Sequence, residues 1–147
     1  MKTLKKITLL ICALGLFNSC SSNEDSNSSG CLECNYSVAS NETAATVSSQ
    51  LIGTFNLTLD FVASNSYTIA QGTKAKFTVF EKEMTIEIDN QDCITLKNPI
   101  TSLSNTEFVF KDNCRDDYMY AISENSNGGI NEVNVISING TFLAQYK

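Results

Sequence analysis

Residues 51–61 read Leu-Ile-Gly-Thr-Phe-Asn-Leu-Thr-Leu-Asp-Phe, and this stretch decides the fold. Apolar residues or glycine occupy its odd positions, and from Thr54 onward polar residues occupy its even ones. Because successive side chains of a β-strand point to opposite faces, the alternation predicts a half-buried antiparallel strand.

The same period of two recurs along the rest of the chain, in short segments separated by turn residues such as Gln71-Gly72-Thr73 and Asn139-Gly140. Only 43–50 has a weak helical pattern, which a single turn would satisfy. Nine strands are predicted, at 51–61, 67–69, 75–80, 84–88, 93–96, 108–110, 118–122, 130–138 and 141–146. This predicts one all-β domain over 31–147, an antiparallel meander of about eight or nine strands forming a barrel or a sandwich.

The amino-terminal residues have the pattern of an export signal. Lysines lie at positions 2, 5 and 6, an apolar run follows over 7–17, and Ser19 precedes Cys20. The run is shorter than the roughly 20 residues that a spanning helix needs, so we expect cleavage. The site resembles the lipobox of Bacteroidota-type lipoproteins, although Phe17 and Asn18 depart from its commonest form. The resemblance implies a signal peptide over 1–19, a lipid on Cys20 that binds the membrane, and an outer-membrane location.

Residues 20–30 comprise the lipidated cysteine and a polar segment without one apolar side chain after it. We expect a flexible tether that holds the domain on the order of 15–20 Å from the membrane. Ser21 with Glu24 and Asp25 also resembles the short acidic signal that sends some such lipoproteins to the cell surface. A merely soluble spacer is the alternative.

Charge and composition exclude some functions. The chain has 10 basic and 16 acidic residues, a net charge of −6, and no histidine. Loss of the three signal-peptide lysines leaves seven basic residues against 16 acidic ones, a net charge of −9. This disfavours nucleic-acid binding, which needs clustered Lys and Arg. Without histidine, the usual general base is missing, so we expect neither an enzyme nor a cofactor.

Six cysteines reduce to four once Cys12 is removed with the signal and Cys20 is lipidated. Four cysteines in an exported domain predict two disulfides. A polar tether precedes the C-x-x-C pair, which favours structural bridging over redox chemistry. The four are Cys31, Cys34, Cys93 and Cys114.

Three pairings of these cysteines are possible. Cys93 and Cys114 begin and end a predicted hairpin, which favours a bridge between them and a second bridge between Cys31 and Cys34. The register of such a hairpin places Leu96 opposite Lys111, so the apolar faces do not match. A bulge, or a position of Cys114 beyond the strand end, would be required.

Two acid-rich loops, 89–92 and 112–117, lie at the same end of a meander. Their carboxylates could supply oxygen ligands to Ca²⁺. Solvated turns are the favoured alternative, because Asp is common in turns for its own backbone bonding. The candidate ligands are Asp89, Asp92, Asp112, Asp116 and Asp117.

The start of the first strand, Gly53-Thr54-Phe55, resembles the Gly-Thr-Trp of lipocalins and lipocalin-like bacterial lipoproteins, with Phe55 in place of tryptophan. The resemblance implies an up-and-down barrel whose first and last strands are neighbours. Six aromatic residues could then line a cavity for a small apolar ligand or form a platform for sugar, although core packing is the favoured interpretation. They are Phe108, Phe110, Tyr118, Tyr120, Phe142 and Tyr146.

Three hypotheses follow. The first is a non-enzymatic, lipid-anchored interaction or accessory module with a protein or glycan partner. The second is a lipocalin-like carrier of a small apolar ligand, and the third and least expected is a hydrolase. An interior cavity of more than a few hundred Å³ would favour the carrier, whereas a filled interior with an exposed aromatic or acidic patch would favour the module.

Overall fold

The computed structural model describes residues 30–102 and 107–147, which form an all-β domain. The predicted signal peptide, Cys20 and most of the tether lie outside the described residues. Among the residues that are described, no helix has the length and apolar character needed to cross a membrane.

The described residues form ten strands, and a 3-10 turn at Ser49–Leu51 lies before the second. The all-β, mainly antiparallel fold predicted from the sequence is confirmed, and of these described strands only β1 lies parallel to its neighbour. The strands β1 and β6 were not predicted. The ten are β1 (Leu32–Asn35), β2 (Gly53–Val62), β3 (Lys74–Val79), β4 (Glu83–Ile88), β5 (Ile94–Lys97), β6 (Ile100–Thr101), β7 (Phe108–Asp112), β8 (Tyr118–Glu124), β9 (Ile130–Ser137) and β10 (Phe142–Tyr146).

The strands form two meanders that share β2. In the first, which we call sheet A, β2 to β5 pair in chain order and β1 adds to the outer edge of β5. In the second, sheet B, β6 to β10 pair in chain order. The amino-terminal half of β2 pairs with β3, and its carboxyl-terminal half pairs with β10. The first and last long strands are therefore neighbours.

Besides the shared strand β2, the two sheets are connected by the segment between β5 and β6, where the chain passes from sheet A to sheet B. Asn98 adopts a φ of 63° there, a conformation that Asn tolerates better than most residues, and Pro99 follows it. Among the described strands no ladder joins β1 to β6 or β7, so the sheet does not close into a barrel. Residues 36–45, which we call the strap, cross this opening: Ala44 bridges Ile100, and the Ala45 N–H donates to the Pro99 carbonyl at 2.8 Å.

Four cysteines form two disulfides, as predicted, but the predicted pairing is wrong. The bridges join Cys31 to Cys93 and Cys34 to Cys114. The expected hairpin between β5 and β7 does not form, because β5 pairs with β4 and β1 while β7 pairs with β6 and β8. This pairing removes the mismatch of apolar faces that a Cys93–Cys114 hairpin would create. Both disulfides fasten β1, and the second also ties sheet A to sheet B.

The predicted strand at 67–69 is also wrong, since these residues belong to the loop between β2 and β3. Tyr67 turns inward from this loop and is buried, and its hydroxyl lies 2.7 Å from that of Tyr146. The Tyr67 ring also packs against Tyr118, with 5.4 Å between ring centroids. The loop thus contributes a large side chain to the core.

The interior between the two sheets is filled by large apolar side chains. Phe77 packs edge-on against Tyr146 at 5.3 Å between ring centroids. The largest side chains with less than 2% of their surface exposed are Tyr120, Tyr146, Phe77, Phe110, Leu51, Leu59, Met84, Ile86, Ile94, Leu96, Ile122 and Val79.

Candidate functional site

The outer face of sheet A is polar across all of its strands. Threonines face one another between strands, with 3.4 Å between the hydroxyls of Thr54 and Thr78 and 2.9 Å between those of Thr85 and Thr95. Lys76 forms an ion pair with Glu87 on the same face. This is the pattern expected of a sheet with one face on the core and one in water.

The outer face of sheet B is different, because apolar side chains run across it from strand to strand. Phe142 is the register partner of Ile136, which is the partner of Met119. Phe61 stacks on Phe142 with 6.3 Å between ring centroids. We call Phe61, Phe142, Ile136 and Met119 the apolar stripe. It spans four strands on the face where water-exposed sheets carry polar residues.

The stripe continues beneath the strap as a small second core. Ile100, Val109 and Ala121 point outward from sheet B, yet all three are buried. Tyr36 and Val38 of the strap pack over them. The strap therefore covers one half of the apolar outer face, and the half around Phe61 and Phe142 stays open.

A groove of about 610 Å³ lies where the strap meets the open half of this face. Its floor is formed by Val109, Met119 and Ile136, and Glu107 lies at its rim. The strap forms one wall through residues 41–43, and Gly140 from the turn between β9 and β10 lines it as well. The groove is thus half-open and mainly apolar at its base.

Glu42 and Lys111 lock the strap onto sheet B. Lys111 forms an ion pair with Glu42 and lies 4.8 Å from the centroid of the Tyr36 ring. The Tyr36 hydroxyl donates to the Glu42 carboxylate at 2.6 Å, and the Ala39 N–H donates to it at 3.0 Å. Burial acts to raise the pKa of Glu42, but these donors outweigh it and lower the pKa to about 2. The Glu42 carboxylate is therefore ionised at neutral pH.

A second, more polar cleft of about 380 Å³ lies at the end of sheet B beyond Phe142. Asp117, Asn139 and Thr141 line it, together with Ile138, which is 43% exposed. Gly140 has a φ of 84° in the turn that carries these residues, a conformation that favours glycine. This end of sheet B therefore presents carboxylate, amide and hydroxyl groups, and one of the lining residues, Thr141, directly precedes Phe142 in the chain.

Asp89, Asp92, Asp112, Asp116 and Asp117 are the candidate Ca²⁺ ligands of the sequence, with solvated turns as the favoured alternative. The two loops lie at the same end, and the Arg115 guanidinium lies between them. It donates to the Asp92 carbonyl at 2.9 Å and to the Asp116 carboxylate at 2.8 Å. Within residues 30–102 and 107–147, no three acidic or cysteine side chains form a group that could hold a metal ion.

Asp112 is the one buried charged residue among those described. One carboxylate oxygen accepts the backbone N–H groups of Cys114 and Arg115, at 3.3 and 3.0 Å, and the other has no hydrogen-bond partner. Burial raises the pKa of Asp112, although Arg115 and these donors oppose the shift. The carboxylate thus orders the turn that carries Cys114.

The aromatic residues singled out in the sequence divide between core and surface. Phe110, Tyr120 and Tyr146 are buried, which confirms the interpretation as core packing. Phe142 is 39% exposed and belongs to the stripe. The sequence prediction missed the stripe, although residues 118–122 read Tyr-Met-Tyr-Ala-Ile. A strand with no polar residue on either face predicts burial of both faces.

Comparison with known proteins finds no family model that matches the chain, no similar curated protein and no matching solved structure.

Proposed function

We propose that this protein is a non-enzymatic, lipid-anchored interaction module of the cell envelope, and that the outer face of sheet B is its binding surface. The observation that carries the proposal is the exposed aromatic end of the apolar stripe, which the strap does not cover. Phe61 and Phe142 are 51% and 39% exposed and lie stacked side by side. Adjacent exposed aromatic residues are typical of protein-binding surfaces.

The filled interior also favours the module over the carrier. Tyr120 and Tyr146 occupy the space that a lipocalin-like ligand would need, and Tyr67 adds a third tyrosine from the loop above them. A carrier needs a cavity of about 300 Å³ or more to enclose a ligand. The groove of about 610 Å³ lies on the outer face and is half-open, which suits a contact with another macromolecule.

Lipid attachment can be tested separately. Cells that express the tagged protein are grown with an alkyne analogue of palmitate, and the label on the purified protein is measured. We expect label on the unaltered protein and none on Cys20→Ala. Label on both proteins, or on neither, would contradict the proposed anchor.

The binding surface is tested by chemical cross-linking in intact cells. We expect the tagged protein to give discrete larger adducts that disappear in the double variant Phe61→Ser/Phe142→Ser. The matched control is Phe80→Ser, because Phe80 is 48% exposed but lies outside the stripe. Adducts that persist in the double variant would contradict the proposal. Saturable binding of N-phenyl-1-naphthylamine that survives both substitutions would support the carrier instead.

A further inference from the structure

Charged groups around the apolar stripe identify the chemistry of its partner. Three carboxylates flank it: Asp60 is the extra residue beside Phe61 where the register between β2 and β10 shifts, Asp117 lines the cleft at the end of sheet B, and Glu107 lines the groove. No lysine or arginine of the described residues lies within ion-pair distance of these three. The rim of the binding face therefore carries uncompensated negative charge.

The cations on this face are already paired. Lys111 is held by Glu42, and Lys147 lies 3.9 Å from Glu132. The chain as a whole carries a net charge of −6, so two copies of it repel one another at long range. Charge complementarity thus disfavours a second copy as the occupant and favours a cationic partner.

The dimensions of the stripe limit the form of the partner. From Phe61 on β2 to Met119 on β8 the open part of the outer face crosses four strands, which are about 4.8 Å apart, or about 14 Å in all. An extended segment rises about 3.3 Å per residue, so about four residues cover this distance and a hexapeptide spans it with residues to spare. Apolar anchors at the centre with charges at the rim are the usual anatomy of such contacts.

We propose that the outer face of sheet B binds an extended cationic segment of another protein, whose apolar side chains pack on Phe61, Phe142 and Ile136 while its Lys or Arg side chains approach Asp60, Asp117 and Glu107. This inference rests on the proposed function and adds the chemical class of the partner. Long-range attraction between opposite charges accelerates encounter, and the apolar contacts then slow dissociation.

The test uses the mature lipoprotein in phosphatidylcholine nanodiscs and two fluorescent hexapeptides, Lys-Phe-Lys-Val-Lys-Ile and Glu-Phe-Glu-Val-Glu-Ile. Fluorescence anisotropy should show the cationic peptide binding at least about tenfold more tightly than the acidic one. Affinity should fall at least about tenfold in Phe61→Ser/Phe142→Ser and stay within about twofold in Phe80→Ser. Empty nanodiscs correct for binding to lipid.

A second comparison isolates the charges. The triple variant Asp60→Asn/Asp117→Asn/Glu107→Gln should lose most of the salt dependence of binding. A control with three exposed acids neutralised elsewhere, Glu81→Gln/Asp89→Asn/Asp92→Asn, should retain it.

Equal binding of both peptides, or binding that ignores the two phenylalanines, would overturn the inference. A dimer in analytical ultracentrifugation that the double phenylalanine variant abolishes would also overturn it, by making a second copy the occupant. If cellular cross-links depend on Phe61 and Phe142 while the cationic peptide fails to bind, the proposed function stands and only the partner class is wrong.

Discussion

The outer face of sheet A carries threonines and ion pairs, whereas that of sheet B carries phenylalanine, isoleucine and methionine beside the polar pair Gln145 and Asn134. Both sheets bury their inner faces in the same core. Both sheets therefore contribute apolar side chains to the core through their inner faces. Sheet A shows that a sheet of this domain can fold with a polar outer face. The apolar outer face of sheet B needs a second reason, which the strap supplies for one half and the proposed partner for the other.

The largest expected effect comes from the disulfide that ties the two sheets together. Replacing Cys34 and Cys114 by alanine should lower the free energy of unfolding by about 2–4 kcal/mol, because the bridge closes a long loop of the unfolded chain. It should also accelerate hydrogen exchange in the strap, which begins two residues after Cys34. Chemical denaturation and exchange mass spectrometry measure the two effects.

Removal of the other bridge, through Cys31→Ala/Cys93→Ala, is the matched control. It should lower stability by a similar amount but leave exchange in the strap nearly unchanged, since this bridge lies within sheet A. If the strap amides exchanged hydrogen at the same rate in both variants, the Cys34–Cys114 disulfide would not be what holds the strap in place.

A smaller effect is expected at the ion pair between Glu42 of the strap and Lys111 of sheet B. Glu42→Gln should lower the free energy of unfolding by about 1–2 kcal/mol at pH 7. The pKa of Glu42 is lowered from 4.5 to about 2 in the folded protein, so its contribution is present above pH 4.5 and is lost as the pH falls toward 2. The difference between the variant and the unaltered protein should shrink over that range.

The corresponding control on sheet A is Glu87→Gln, which removes an ion pair whose partners are each 43% exposed. Exposed pairs contribute about 0–1 kcal/mol, so we expect little change at any pH. If Glu87→Gln lowered the free energy of unfolding as much as Glu42→Gln does, the ion pair on sheet B would contribute no more to stability than the exposed pair on sheet A.

The smallest difference concerns single side chains on the two faces. Met119→Ala should cost about 1–2 kcal/mol, because Met119 packs against the second core under the strap. Thr85→Ala should cost about 0.5 kcal/mol, since only the contact with the Thr95 hydroxyl is lost. Urea denaturation of both variants measures these losses of stability. Equal losses would contradict the claim that side chains on the outer face of sheet B are packed more closely than those on sheet A.

Alternation predicted sheet A well because its strands obey a single rule, polar on one side and apolar on the other. Residues 53–58 are the clearest example, and every one of them pairs with β3 in the expected antiparallel register. Sheet B does not follow this rule, because residues 118–122 of β8 have aromatic or aliphatic side chains on both faces. The all-β fold and the number of disulfides could thus be inferred from local patterns.

Long-range features could not be inferred in the same way. The partners of Cys34 and Cys93 depend on the passage of the chain between sheets at Asn98, which makes β5 and β7 belong to different ladders. The strap lies over Val109 because Glu42 meets Lys111 across 69 positions of sequence. Such contacts leave no periodic signal along the chain.

The most direct test of the binding face is site-specific photo-cross-linking in intact cells. Benzoylphenylalanine is placed at position 142 on the outer face of sheet B and, in a separate protein, at position 78 on the outer face of sheet A. We predict a discrete cross-linked adduct from position 142 and none from position 78. Adducts of equal yield from both positions, or from position 78 alone, would contradict the assignment of sheet B as the binding face.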